Sequence, residues 1–385
     1  MTEAGPYSAR IIATIDSGDL GGLAGREFYL WNTVVVGDPV GPESGYTKVY
    51  EGKNLAQSSA LRHYVNVPAG ATAMRVRLEV SKDVGSSSGA MAMTEICDPE
   101  GRVRGSFAGY ARTEGDNIKD STVLKPELFP GIWEINVVGS ITANDQTDYR
   151  LTVSFDGYDV EPSELTGFSR EATGKNATGT AVVTRSFAGV FKGSAEATLD
   201  GFVKDSEVEI EKTDEWTKSF TLDSTTPEAA FHLVMDESVA NLFTDCAVNI
   251  LDESDKALRI TAFDGLEAHA GISLPEDSDS ATYTLQVVGA FAMAEDMAEW
   301  GFELEEKYLF GSSIVGSVKR AGGGRLDLFC GVPTDVKVSF DEEWPGAPEG
   351  MNVFGVLEFR DSNTDDRRPG DEGGRLVLEV PIKVD

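Results

Sequence analysis

The chain has 385 residues, 41% hydrophobic and 25% charged, so it builds globular cores and is long enough for two or three domains. Its 65 acidic residues against 33 basic ones give a formal charge of -32. That balance argues against nucleic acid or an anionic membrane as partner, because both require clustered Lys and Arg, and it suits a self-repelling surface that attracts cations.

No apolar run approaches the roughly 18 residues that cross a bilayer as a helix. The opening MTEAGPYSARIIATIDSG has no basic start followed by an apolar stretch, so no signal peptide is expected and a cytoplasmic location is favoured. In chain order, period-two alternation rich in β-branched residues predicts strands over 62–67, 74–80, 133–138, 149–155 and 180–187, then over 207–212, 218–223, 283–288, 335–340 and 375–384. Pro-Glu-Gly, Phe-Pro-Gly and Phe-Asp-Gly between them read as turns. Many short strands with frequent turns predict an all-β protein of tandem β-sandwiches, jelly-roll or immunoglobulin-like. One stretch is ambiguous: Met293, Met297, Trp300 and Leu304 recur at helical spacing, while Trp300, Phe302 and Leu304 alternate as in a strand. A short helical connector running into a strand is expected there.

A plan of strand, Pro turn, acidic turn and paired strands near residues 65–155 recurs loosely near 220–288. The expected division is 1–52 as terminal strands of an incomplete immunoglobulin-like domain, 53–160 and 161–298 as two sandwiches, and 299–385 as a third β-rich domain. DGYDVEPSELTG (156–167), with Pro, Gly and acidic residues, marks the central boundary.

The segments LRHYVNVPAGATAMRVRLEVS (61–81), EICDPEGRVRG, PGIWEINVVGS and YRLTVSFDGYDV together resemble a region of subtilisin-family serine peptidases. The similarity is to the part downstream of the catalytic domain in the tripeptidyl-peptidase II branch and its bacterial relatives. EFYLWNTVVVGDPVG (27–41) resembles the strand that ends the preceding immunoglobulin-like domain, and FTDCAVNILDE (243–253) resembles part of the next domain. In that family the Asp, His and Ser of the triad lie upstream. Asp16-Ser17-Gly18 resembles the family's Asp motif, yet no His-Gly-Thr or Gly-Thr-Ser-Met-Ala segment follows it. A triad is recognised by its partners, so a β-turn is the better reading of Asp16. The resemblance implies a non-catalytic accessory region, with the peptidase catalytic domain or a second copy of the chain as partner.

Other chemistry has ordinary alternatives. Gly85-Ser86-Ser87-Ser88-Gly89 matches the spacing of a nucleophile elbow, but Ser81-Lys82-Asp83-Val84 before it is no buried strand, and a Ser/Gly run suits a loop. Of three histidines, His63 shares a strand face with Val65 and Val67, His232 lies between Phe231 and Leu233, and His269 falls on an expected loop. No two are close enough in sequence to suggest a shared metal. Cys97, Cys246 and Cys330 are too few and too scattered for a disulfide framework or a zinc knuckle, and are expected to be buried thiols.

DSNTDDRRPGDE (361–372) carries a calcium-loop spacing: Asp361, Asn363, Asp365 and Glu372 at positions one, three, five and twelve. Asp366 stands where the turn wants Gly, Arg367 and Arg368 add positive charge, and the flanks read as strands, so a solvated hairpin loop competes. Calcium is the one cofactor suggested. Glu207-Val208-Glu209-Ile210-Glu211 reads as the wet face of a sheet, with cation binding or partner docking as the sharper alternative. Trp31, Trp133 and Trp216 are expected in the core, a carbohydrate platform being the alternative. A free-standing, calcium-stabilised module for carbohydrate or a surface partner is therefore the second functional expectation.

Overall fold

The computed structural model describes residues 3–14, 27–81, 90–105, 110–112, 117–141, 146–166, 168–170, 177–211, 215–240, 243–292, 299–362 and 374–384. The fold is all-β, as expected, and every predicted strand falls on an observed one. Two compact units form: residues 1–159 with 185–190 and 329–331, and residues 160–184 with 191–328 and 332–385.

The first unit opens with an antiparallel hairpin of Gly5–Thr14 and Glu27–Val36. Its sandwich has one sheet in the order Thr47–Leu55, Thr147–Asp156, Ala73–Glu79, Ile118–Leu124. The facing sheet runs Ala60–Val67, Gly131–Gly139, Ala90–Cys97, Val103–Gly105, with Ala111–Arg112 also pairing Ala90–Cys97. Alternation does the sorting: Tyr149, Leu151, Val153 and Phe155 are buried while the residues between them are half-exposed. They join Met74, Val76 and Leu78 from a neighbouring strand and Trp133, Ile135 and Val137 from the other sheet in one core. Each large side chain fully buried there contributes about 1.5–3 kcal/mol. The Trp133 indole N–H is satisfied by the Phe129 carbonyl at 3.0 Å. Residue 52 is Gly because the Tyr149 ring lies where a Cβ would stand.

The second unit is organised by two strands of 22 residues each, Val190–Glu211 and Glu299–Arg320. They pair antiparallel from Ala197↔Gly316 to Glu211↔Glu299, with a break in register where Leu199 faces Ile314 and Gly201 faces Leu309. A bulge of this kind bends a strand and lets it change partners. Here Glu299–Arg320 pairs Glu228–Met235 through residues 302–309 and Thr334–Phe340 through residues 317–320. The sheet therefore runs through the expected boundary at 298/299. Residues 300–304 are strand, resolving that part of the ambiguous stretch, while residues 293–298 of it lie outside the described residues.

A four-stranded sheet, Glu215–Asp223, Ser280–Ala292, Phe243–Leu251, Ala257–Ala262 in order, packs on one half of this large sheet. Phe220 meets Phe231 with ring centroids 4.8 Å apart, and Trp216 meets Phe302 at 5.4 Å. Edge-on aromatic pairs of this geometry add about 0.5–1.5 kcal/mol to the burial itself. One charge intrudes on this inner face. Glu306, fully buried, pairs with Lys218 and accepts the Tyr308 hydroxyl at 3.2 Å. Those partners compensate its lost hydration, and burial together with Glu306 pushes the Tyr308 hydroxyl far above its ordinary range.

Candidate functional site

The outward face of that same half-sheet gathers the chain's unusual polar residues. Successive side chains alternate faces, so residues paired across strands share one. The register runs Asp205↔Glu305, Glu305↔His232 and His232↔His269 across four strands. The next row outward is Glu207↔Glu303, Glu303↔Val234 and Val234↔Glu267. Meanwhile Phe231, Leu233, Ala268, Phe302 and Leu304 turn inward and are buried. Of the expected wet acidic face of Glu207–Glu211, Glu207 and Glu209 are exposed and Ile210 is buried.

His232 and His269, which sequence distance separated, stack face to face with ring centroids 4.3 Å apart and planes within 3°. His269 lies in the strand Glu267–Ser273, not on the expected loop. Its strand neighbour two positions back, Glu267, points to the same face, with its carboxylate 3.7 Å from His232 Nε2. The ligand atoms of His232, Glu267 and His269 all lie within 4.8 Å of one another. His232 Nε2 is shielded from solvent and has no hydrogen-bond partner. An adjoining groove of about 510 Å³ is lined by Asp205, Glu207, His232, Val234, Glu303 and Glu305. Nearby cations are engaged: Lys307 pairs with Glu305 at 2.7 Å and Lys383 with Asp205 at 3.1 Å. Sequence reading missed this group: the period-two Glu267-x-His269 is a signal that could have pointed to it, whereas its partner across the sheet leaves no local trace.

His63 is of another kind. Its Nε2 meets the Tyr149 hydroxyl at 2.7 Å and the Tyr50 ring lies 4.4 Å away, centroid to centroid. Burial lowers its pKa to about 4, partly offset by Asp38, so the ring is neutral near pH 7.

Several expected positions are settled or set aside. Asp16 and Gly85–Gly89 lie outside the described residues. Of the calcium loop, Asp361 closes the strand Asn352–Asp361 opposite Arg375 and is buried, whereas Asn363, Asp365 and Glu372 lie outside the described residues. Cys97 and Cys246 are buried as expected, but Cys330 is exposed, on an isolated bridge beside Arg185 and outside any named strand. Trp133 is fully buried, Trp216 is half-buried, and Trp31 is 68% exposed, contrary to the core expectation. The reason is the hairpin: a two-stranded ribbon has no second sheet to cover it. Tyr7 pairs with Val34 and Ile11 with Leu30, making one apolar face whose members are 43–61% exposed. On the opposite face Arg10 lies 4.9 Å from the Tyr29 ring and 5.9 Å from that of Trp31.

No known family model matches the chain, and no curated protein matches it. Among solved structures, the chain is similar to the crystal structure of tripeptidyl peptidase 2 (TPP II) at 13% identity and a TM-score of 0.54, over 100% of this chain and 33% of that one. A peptide-N(4)-(N-acetyl-β-D-glucosaminyl) asparagine amidase aligns at 10% identity over 70% of this chain and 99% of that one, with a TM-score of 0.24 that carries no argument. The chain thus spans about a third of the tripeptidyl peptidase structure and shares the fold of that part.

Proposed function

We propose that the chain is a non-catalytic accessory region of a subtilisin-like serine peptidase, packing on the catalytic domain and supporting substrate positioning or oligomer assembly. The observation that carries this reading is the fold likeness to tripeptidyl peptidase 2 over the whole of the chain. The absence of His-Gly-Thr and Gly-Thr-Ser-Met-Ala segments from the sequence supports it, since a triad needs all its members. The hairpin Gly5–Val36 supplies the contact. An isolated two-stranded ribbon is marginal in water, and an exposed apolar face of this kind marks an interaction surface. Its occupant is the peptidase catalytic domain, because the resemblance places that domain before the hairpin in chain order.

The test has two arms. The genomic frame directly upstream is expected to encode the His-Gly-Thr and Gly-Thr-Ser-Met-Ala segments, and their absence there overturns the reading. Co-expressed with that catalytic domain, the chain is expected to co-purify, and Ile11→Ser with Leu30→Ser is expected to abolish the association while leaving the sandwich melting transition in place. Co-purification unaffected by the double change overturns the hairpin's role. A second reading, a glycan-binding module, rests on the exposed Trp31 beside Tyr29; it predicts saturable glycan binding lost in Trp31→Ala.

A further inference from the structure

Independently of the peptidase reading, we propose that His232, Glu267 and His269 form a binding site for a single divalent transition-metal ion of the zinc type. Two imidazoles and one carboxylate are the donors that borderline ions select, whereas calcium and magnesium take oxygen ligands. Among the described residues this is the one group of three His, Cys, Asp or Glu side chains whose ligand atoms lie so close together. The spread of up to 4.8 Å must close to about 3.3 Å for a tetrahedral zinc ion. Closing it requires the exposed His269 ring to turn out of its stack and Glu267 to swing inward, and all three ligands stand on paired strands.

Three features distinguish this group from three polar residues that merely share a face. First, His232 Nε2 is shielded yet unpaired and lies 3.7 Å from the Glu267 carboxylate. A buried polar atom without a hydrogen-bond partner is uncommon, and a bound cation would satisfy this nitrogen. Second, the two imidazoles are neighbours across the strand pair, with ring centroids 4.3 Å apart, which keeps both within reach of the Glu267 carboxylate. Third, Glu305 stands beside His232 on its other neighbouring strand, and Asp205, Glu207 and Glu303 extend the carboxylate field along the groove. That field concentrates cations at the ligands. Lys307 is held by Glu305 and does not neutralise the whole face.

Bound metal would tie the strand Glu267–Ser273, which pairs only with Glu228–Met235 among the described strands, to its neighbour. Three protein ligands also leave a coordination position for water. The site is therefore a staple with an open valence, on the outer surface of the second unit.

Titration of Zn²⁺ into the untagged full chain tests the proposal by calorimetry, with Co²⁺ as the spectroscopic probe. One equivalent is expected to bind, with Co²⁺ giving the visible absorption of a four- or five-coordinate nitrogen and oxygen site. His232→Ala and His269→Ala are each expected to weaken binding by at least the roughly 10–100-fold that changes around a metal site cost. Both positions reach the surface of the sheet, so folding is checked by an unchanged melting temperature without metal. Glu209→Gln, an exposed acid on the same face, is expected to bind normally. Absence of saturable binding overturns the proposal. So does binding that survives both histidine changes, that Glu209→Gln abolishes, or that Ca²⁺ matches in affinity, since each of these assigns the cation to the acidic face at large.

Discussion

His63 and the pair His232–His269 sit on strands of the same alternating kind, one in each unit, and meet opposite surroundings. His63 is enclosed by Tyr50 and Tyr149, gives its nitrogen to a hydroxyl, and is held neutral by burial. His232 and His269 face outward, against each other and among carboxylates. The difference lies in what covers the strand. In the first unit a second ring closes over the imidazole and turns it into a structural hydrogen-bond partner; in the second the two imidazoles lie against each other on the outward face, beside Glu267. A histidine's role is thus fixed by the neighbouring strand and not by its own flanking residues.

The comparison can be broken from either side. The largest expected effect comes from Tyr149→Ala, which removes the buried ring over Gly52 and the partner of His63. Loss of so large a buried aromatic should cost about 3–5 kcal/mol in chemical denaturation of the first unit. Zinc binding in the second unit should be unchanged; a parallel loss would show that the two sites are not independent.

Acid should act next most strongly on the first unit. The folded pKa of His63, about 4, lies below the unfolded value near 6.5, so the unfolded chain binds more protons between these limits. The contribution is complete above pH 6.5 and falls away as pH drops towards 4, by up to about 3 kcal/mol. His63→Gln keeps a hydrogen-bonding group without the titration, and stability measured against pH should lose this slope. A slope retained in that variant would assign it to other groups.

The smallest expected effect sharpens the second unit. Lys307→Gln removes the cation paired with Glu305 at 2.7 Å, a surface contact worth less than about 1 kcal/mol to stability. Zinc affinity should rise modestly in calorimetry, because the field around His232 becomes more negative. A fall would indicate that Lys307 orders the carboxylates and does not merely offset them.

The all-β fold was legible because alternation is strict where one face is buried, as in Tyr149–Phe155 and Asp335–Phe340. The length of Val190–Glu211 and Glu299–Arg320 was not, because a bulge that changes partners is defined by the strands it joins. Trp300 to Leu304 read both ways for the same reason: all three apolar residues are buried, and only the pairing with Val208 and Ile210 decides for a strand. The candidate site was not legible: His269 was expected on a loop, and only cross-strand register places His232 opposite His269. Trp31 was misassigned to the core because an alternating aromatic strand looks the same whether or not a second sheet covers it.

Three histidines in 385 residues make the central contrast directly observable. Side-chain NMR of the histidine-labelled chain, followed through a zinc titration and a pH titration, reports each imidazole separately. Two resonances, assigned by His232→Ala and His269→Ala, are expected to shift together and saturate at one equivalent of zinc. The third is expected to ignore zinc and to stay neutral until the pH approaches about 4. Three resonances that respond to zinc alike, or none that responds, would contradict the account.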